Sequence, residues 1–180
     1  MAVVVADKDW VLRHSVARDI DELMTWFPDG GSVVIWGGPS FRYPFTRHSF
    51  VEDICWGRMA SFTLRDPTDQ FAAFGQLYER FERINLARLV VNPMMRGRGV
   101  GKKLVEMLMA AGRSFFECPE YSLFVFRDNT MAYECYKSMG FSVTDYPQDM
   151  PHADVCYYLT RPVAESTARE AKQQGDDNDK

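Results

Sequence analysis

Residues 86–108 read LARLVVNPMMRGRGVGKKLVEML, and the order of signals in them sets the architecture. An apolar run of strand composition ends at Asn92–Pro93, three alternating glycines follow between basic residues, and the last part is apolar at helical spacing. Gly97, Gly99 and Gly101 let the backbone approach a ligand closely and take positive φ. The first amides of the following helix have no internal partner, and its dipole end favours an anion. Arg96, Arg98, Lys102 and Lys103 add positive charge, although a structural turn with a solvated basic surface has the same composition. Two phosphate cradles are excluded. A P-loop needs G-x-x-x-x-G-K-[ST], but Arg96 stands at its first glycine and Lys103 at its hydroxyl. G-x-G-x-x-G fails at Lys102, and the early chain shows no βαβ series.

Downstream, VGKKLVEMLMAAG (100–112) places Val100, Leu104, Met107, Leu108 and Ala111 on one helical face, with Gly112 as the expected stop. SLFVF (122–126) is almost wholly apolar and reads as a central strand buried on both faces. Asp128 or Asn129 caps the next helix, whose Ala132, Cys135, Tyr136 and Met139 share a face before Gly140. FSVTDY (141–146) and DVCYYLT (154–160) read as closing strands around PQDMPH.

Upstream, WVLRHS (10–15) is a short strand, and ARDIDELMTWF (17–27) has Ile20, Leu23, Met24 and Phe27 at helical spacing. The Gly/Pro-rich segment 28–45 suggests a short strand at Ser32–Trp36, and RHSFVEDIC (47–55) a short helix. RMASFTLR, FAAFGQLYER and INLARLVV then form an expected antiparallel meander. The expected fold class is α+β: one domain, residues 1–162, with a mixed, largely antiparallel central sheet flanked by helices. Residues 163–180 lack aromatics and predict a polar, disordered tail with room for a short helix through Lys172.

The 180 residues, 46% hydrophobic and 26% charged, suit one domain with a real core. A net charge of -4 argues against a general nucleic-acid binder, so the basic cluster is local and suits a small anionic ligand. Cys55, Cys118, Cys135 and Cys156 form no C-x-x-C pair and, with three scattered histidines, give no zinc spacing, so no metal is expected. They read as buried, reduced thiols of a cytoplasmic protein. The N-terminus MAVVVADKDW has neither the basic region of a signal peptide nor the length of a membrane span.

Arg96, Gly99 and Gly101 match Q/R-x-x-G-x-G/A between a strand and a helix. About thirty residues downstream, NTMAYECYKSMGF (129–141) matches N-x-x-A-x-x-x-Y-x-x-x-G-F. With two motifs in this order and spacing, the chain resembles the GNAT superfamily of acetyl-CoA-dependent N-acetyltransferases over roughly residues 10–160. The resemblance implies that Arg96, Gly97, Arg98, Gly99, Val100, Gly101 and Lys102 bind the pyrophosphate of coenzyme A. It implies that Leu89, Val90 and Val91 hydrogen-bond the pantetheine arm, and that Asn129 contacts the same arm while capping its helix.

Tyr136 matches the tyrosine that protonates the departing thiolate, although its apolar face also suits a core aromatic; Tyr133 is the lesser choice. The match has no evident general base. Asn85 and Phe124 stand where the family often has glutamate, which leaves Glu79, Glu82, His48, His152 or a water chain. Trp26, Phe27, Trp36, Phe41 and Tyr43, with Phe45 and Asp29 nearby, form either a substrate rim or packing beneath a long loop. The implied function is acetyl transfer from acetyl-CoA to a primary amine by direct attack, with a small-molecule acceptor. The alternatives are protein N-terminal or lysine acetylation, and a catalytically silent acyl-CoA-binding module. The expected partners are acetyl-CoA and the amine, with a homodimer left open, and neither nucleic acid nor membrane.

Overall fold

The computed structural model describes residues 5–148 and 150–164. Its strands are β1 (Val5–Asp7), β2 (Trp10–His14), β3 (Ala60–Arg65), β4 (Phe71–Arg80), β5 (Arg83–Val91), β6 (Glu120–Phe126), β7 (Ser142–Thr144) and β8 (Cys156–Pro162). Its helices are α1 (Ala17–Met24), α2 (Gly30–Gly37), α3 (Arg47–Asp53), α4 (Val100–Phe115) and α5 (Thr130–Ser138). The strands form one sheet in the order β1-β2-β3-β4-β5-β6-β8-β7.

Neighbours are antiparallel except β5 and β6, which run parallel and pair only through Arg83–Glu120, Ile84–Tyr121 and Asn85–Ser122. Past those pairs the strands part, so Leu86–Val91 and Leu123–Phe126 face each other without a ladder. A bulge accompanies the parting. Between Phe74 and Gln76 the β4–β5 register shifts, so that Gly75 opposes both Arg88 and Leu89, and Arg88 takes φ 49°. An extra residue of this kind bends its strand and re-aims a side chain. Gly75 also permits close helix packing, since a Cβ there would lie 2.6 Å from Leu108 and 2.9 Å from Leu89.

The two sheet faces carry separate apolar cores. On one, Leu104, Met107, Leu108 and Ala111 of α4 pack on Leu77, Ile84 and Leu86. On the other, Ile20, Leu23, Val33 and Phe50 from α1, α2 and α3 pack with Phe71 and Phe74. Each large side chain so buried contributes about 1.5–3 kcal/mol before the entropy of ordering is subtracted. A buried polar knot ties α1 to the sheet. Asp19, 2% exposed, accepts from the Val16 amide at 2.8 Å, from Arg13 at 2.7 and 2.8 Å, and from Arg65 and Thr63 at 3.0 Å.

Three local expectations change. Ser32–Trp36 lies in helix α2, not in a strand. Asp29 caps that helix by accepting from the Ser32 amide at 2.7 Å, and helical spacing sends Val33 into the core while Ile35 stays 52% exposed. Capping and burial outweigh the β-branched composition there. Gly112 is no stop, because α4 continues to Phe115. It lies where a Cβ would come within 2.8 Å of Ile84, so packing against β5 requires it. β1, absent from the sequence reading, extends the sheet beyond β2 and is held by Lys103, which donates to Asp7. The final strand ends at Pro162, the Val163 amide donates to Pro119 O at 2.8 Å, and residues 165–180 of the expected tail lie outside the described residues. Among the described residues no helix is long and apolar enough to cross a membrane, and no His, Cys, Asp and Glu cluster is arranged for a metal ion.

Candidate active site

The opening between β5 and β6 leads into two clefts. Leaving β5, the chain makes a single 3-10 turn at Pro93–Met95, fixed by Asn92, whose side chain accepts from the Met94 amide and donates to Phe71 O. Gly97 and Gly99 then take φ of 75° and 78°. A Cβ at either would meet nothing within 4 Å among the described residues, so the backbone angle, not crowding, requires glycine. Gly101 departs from expectation: it lies in the first turn of α4 without positive φ.

The first hydrogen bond of α4 runs from Lys103 N to Gly99 O, so the amides of Val100, Gly101 and Lys102 precede it without a helical partner. That turn has no acidic residue, while Lys102 and Lys103 sit at the positive end of a sixteen-residue helix. Cations there are unfavourable until an anion offsets them. Lys103 meets this by pairing with Asp7, and its hydrogen bond holds the Asp7 carboxyl below the usual carboxylate range. Among the described residues Arg96 and Lys102 have no such carboxylate, and both line the first cleft. Arg98 is exposed and lies outside the lining.

This first cleft, about 560 Å³, runs from the glycine turn along Leu89, Val90 and Val91 to Asn129 and Tyr136. Its walls are largely apolar, with Leu104, Val105, Met131 and Ala132 among them. The second cleft, about 390 Å³, opens on the other side of the gap. Tyr78, Arg80, Asn85 and Arg88 form its strand floor, and Phe124, Tyr146, Met150 and His152 line it from β6 and the segment after β7. Ile35, Trp36, Leu89, Asn129 and Tyr136 line both clefts, so the two meet at the parting of β5 and β6.

Tyr136 is half-buried at that meeting point, and burial pushes its phenol well above the ordinary value. It is therefore protonated throughout the neutral range. Tyr133 lines neither cleft and packs on Tyr157 with ring centroids 5.0 Å apart. Asn129 caps α5, accepting from the Ala132 amide at 3.3 Å, and also lines both clefts, so its two expected roles are compatible.

The base candidates separate. Asn85 is buried in the floor, where its Oδ1 accepts from Ser122 Oγ at 3.2 Å, and Phe124 lines the same cleft. Glu79 and Glu82 are exposed near the β4–β5 turn and line neither cleft, and nor does His48. His152 is the imidazole in the lining of the second cleft.

The aromatic rim divides as well. Trp36 stands where the clefts join and donates from Nε1 to Arg88 O at 2.7 Å, while Phe27 lines the first cleft only. Trp26 and Phe41 are core residues, packed on Phe71 at 4.4 Å and on Phe50 at 5.3 Å. Tyr43, 46% exposed, lies outside both linings and donates to Pro28 O. The rim is thus mainly the packing of α2 and α3. Sequence reading missed Tyr78, Arg80, Arg88, Tyr146 and Met150. A period of two along β4 puts Tyr78 and Arg80 on one face, but only the fold shows that this face is the cleft floor.

Comparison with known proteins gives the family and agrees with the fold. The Acetyltransferase (GNAT) family matches residues 30–141. Among solved structures the chain is similar to the ribosomal-protein-S18-alanine N-acetyltransferase from Escherichia coli (TM-score 0.60, 17% identity, covering 87% of this chain and 96% of that one). It is similar to spermidine N-acetyltransferase from Vibrio cholerae in complex with CoA and spermine (0.67, 12%, 87% and 96%). It is also similar to a GNAT-family acetyltransferase from Bacillus anthracis (0.70, 12%, 89% and 98%). At such identities the likeness to these structures is one of fold.

Proposed function

The chain belongs to the GNAT acetyltransferase family, and from that membership we propose that it moves an acetyl group from acetyl-CoA to the primary amine of a small molecule by direct attack. The observation that carries this reading is the meeting of two clefts at Leu89 and Tyr136, one leading to an anion-suited helix start and the other open to an acceptor. Acetyl-CoA supplies an activated acetyl thioester when bound.

The amides from Gly97 to Lys102, with Arg96 and Lys102, hold the pyrophosphate; Arg98, outside the lining, contributes long-range charge. Leu89, Val90 and Val91 present the strand edge that β6 leaves free, so their backbone groups take the pantetheine arm as a neighbouring strand would. An amide of that edge also polarises the thioester carbonyl. Asn129 orients the arm from the start of α5. Tyr136 donates its phenolic proton to the departing sulfur and recovers one from solvent; burial keeps the phenol protonated at neutral pH until that step. One N–C bond forms, one C–S bond breaks, and the amine loses its proton to water in the acceptor cleft. Trp36 walls the acceptor.

Direct attack is supported by the thiols. Cys135 lines the first cleft, but burial raises its pKa and disfavours the thiolate that a covalent route needs. A small acceptor is supported by the modest size of the second cleft, walled by Gly37–Pro39 on one side and by Tyr146, Met150, Pro151 and His152 on the other. Thiol release from acetyl-CoA with a panel of amines and peptides tests the reading. Turnover confined to peptides would assign the protein to protein acetylation, and none at all with coenzyme A still bound would leave an acyl-CoA-binding module.

A further inference from the structure

The acceptor cleft carries a charge pattern that acetyl transfer itself does not require. Two guanidinium groups, Arg80 and Arg88, line it, and among the described residues no Asp or Glu does. Arg88 reaches the cleft because the bulge and its φ of 49° turn its side chain onto the face of Gln76. There Nη1 donates to Gln76 Oε1 at 2.8 Å and Nη2 to Asp53 O at 2.9 Å, while Nε is buried without a partner among the described residues. All these acceptors are neutral. Burial lowers the pKa of Arg88, yet a guanidinium remains charged at neutral pH.

Arg80 is held more loosely still. Its Nη2 meets the sulfur of Met150 and its Nη1 the Tyr78 hydroxyl at 3.3 Å, and it lies over the rings of Phe81 and Phe124. A thioether and a phenol are weak partners for a guanidinium, whose planar fork matches a carboxylate. Arg83, just across the hairpin, already has such a partner in Glu120 at 2.6 Å. Among the described residues neither Arg80 nor Arg88 has a carboxylate within ion-pair distance, and the Asp53 carboxylate, bound by Arg42, acts on Arg88 only from farther off.

A partly buried cation without a counterion is unfavourable, and in a cleft with apolar walls its field is poorly screened. A polyamine would add positive charge to this floor, whereas an anionic group would relieve it. We propose, on the footing of the acetyl-transfer reading above, that the acceptor is an amine that also carries a carboxylate. The carboxylate is seated on Arg80 and the amine is directed towards Tyr136. The two ends of the floor set the spacing. Arg80 stands four residues along β4 from Gln76, the partner of Arg88, which is about 13 Å at the rise of an extended strand. Even after the reach of the Arg80 side chain is subtracted, that backbone separation favours a chain of several bonds between amine and carboxylate over the single carbon of an α-amino acid.

The test is thiol release from acetyl-CoA with three acceptors of matched length: aminohexanoate, hexylamine and diaminohexane. A charge-assisted hydrogen bond is worth roughly tenfold or more in affinity. Aminohexanoate should therefore exceed hexylamine in kcat/KM by about that factor, with diaminohexane the poorest. In Arg80→Gln the ratio of aminohexanoate to hexylamine should fall about tenfold, and Arg80→Lys should retain part of it. The wild-type ranking decides the matter even if neither variant folds. Hexylamine or diaminohexane equal to or better than aminohexanoate overturns the carboxylate assignment and leaves acetyl transfer standing. A wild-type preference that survives intact in a folded Arg80→Gln overturns the role of Arg80. No release with any of the three, while coenzyme A still binds, overturns this inference, and the panel of amines and peptides then decides separately whether acetyl transfer stands.

Discussion

The two halves of the cleft are built differently. The first comes largely from one continuous segment, Leu89 to Val105, and much of it is backbone: a free strand edge, two left-handed glycines and the unbonded amides of a helix start. The second is made by side chains from α2, β4, β5, β6 and the segment before β8. A site made of backbone needs particular residues only where the chain must bend in a forbidden way. A site made of side chains depends on register, and here one bulge opposite Gly75 decides which way Arg88 faces. The meeting point of the halves, at Tyr136 and Leu89, is where a single change should cost most.

Tyr136→Phe removes one hydroxyl and almost no volume there. Turnover should fall by about 10²–10⁴-fold, the range for a general acid, with coenzyme A affinity kept. Single-turnover thiol release and a binding titration check the two halves of that statement. An unchanged rate across the pH range would make Tyr136 a wall residue.

The next change tests whether the first half is really backbone and charge. Gly99 takes φ 78° with open space where a Cβ would go, so Asn, which tolerates left-handed backbone, is the shape-matched control for Asp. Gly99→Asp should weaken coenzyme A binding by about 100-fold or more relative to Gly99→Asn, since like charges brought together in a binding interface cost several kcal/mol. Equal binding by the two variants would mean that no anion sits at this turn.

The buried knot at Asp19 lies outside both linings and tests the fold that carries them. Burial raises its pKa, but the hydrogen bonds from Arg13, the Val16 amide and Thr63, with the charge of Arg13, outweigh that and leave it lowered. A carboxyl lowered in the folded state adds stability above its unfolded pKa, and that stability is lost as pH falls below about 4 through the folded value. Asp19→Asn should cost about 2–3 kcal/mol at neutral pH, or roughly 5–10 °C in Tm, with the difference from wild type shrinking in acid. A constant difference between pH 7 and pH 3 would refute the ionised assignment.

The same contrast explains what could be read from the chain. The strand–turn–helix at 84–112 and the α5 motif declare themselves through local spacing, because glycine dihedrals and a 3.6-residue apolar face are local physics. Asp29 also marks a local helix start, yet Val33–Val34–Ile35 suggested a strand until burial against Phe50 and Phe74 overrode composition. Trp26, Phe41 and Tyr43 looked like a rim because aromatic composition does not distinguish a packed ring from a lining one. Arg80 and Arg88 were passed over because a charged residue on a strand usually faces water. Only the parting of β5 from β6 shows that these two do not.

The smallest effect is expected from the residues best suited by chemistry alone to serve as base. Glu79 and Glu82 are exposed near the β4–β5 turn and outside both linings, and Asn85 in the floor cannot accept a proton at neutral pH. On the acetyl-transfer reading proposed above, deprotonation of the acceptor would fall to solvent in the cleft, with no single carboxylate required. Aliphatic amines have pKa values near 10, so the neutral form available at pH 7 rises about tenfold with each pH unit. For such an acceptor kcat/KM should climb with pH and flatten as the amine pKa is approached, whereas a weakly basic amine should give a flatter profile from the start. His152 is the competing base in the lining, and a loss of 10²-fold or more in His152→Gln would assign the proton to it instead of to solvent. Glu79→Gln and Glu82→Gln should each stay within about threefold of wild type, far short of the 10²-fold or larger loss typical of a general base. A loss of that size in either variant, with acetyl-CoA still bound, would show that the turn folds inward during catalysis and that the acceptor half has a carboxylate base after all.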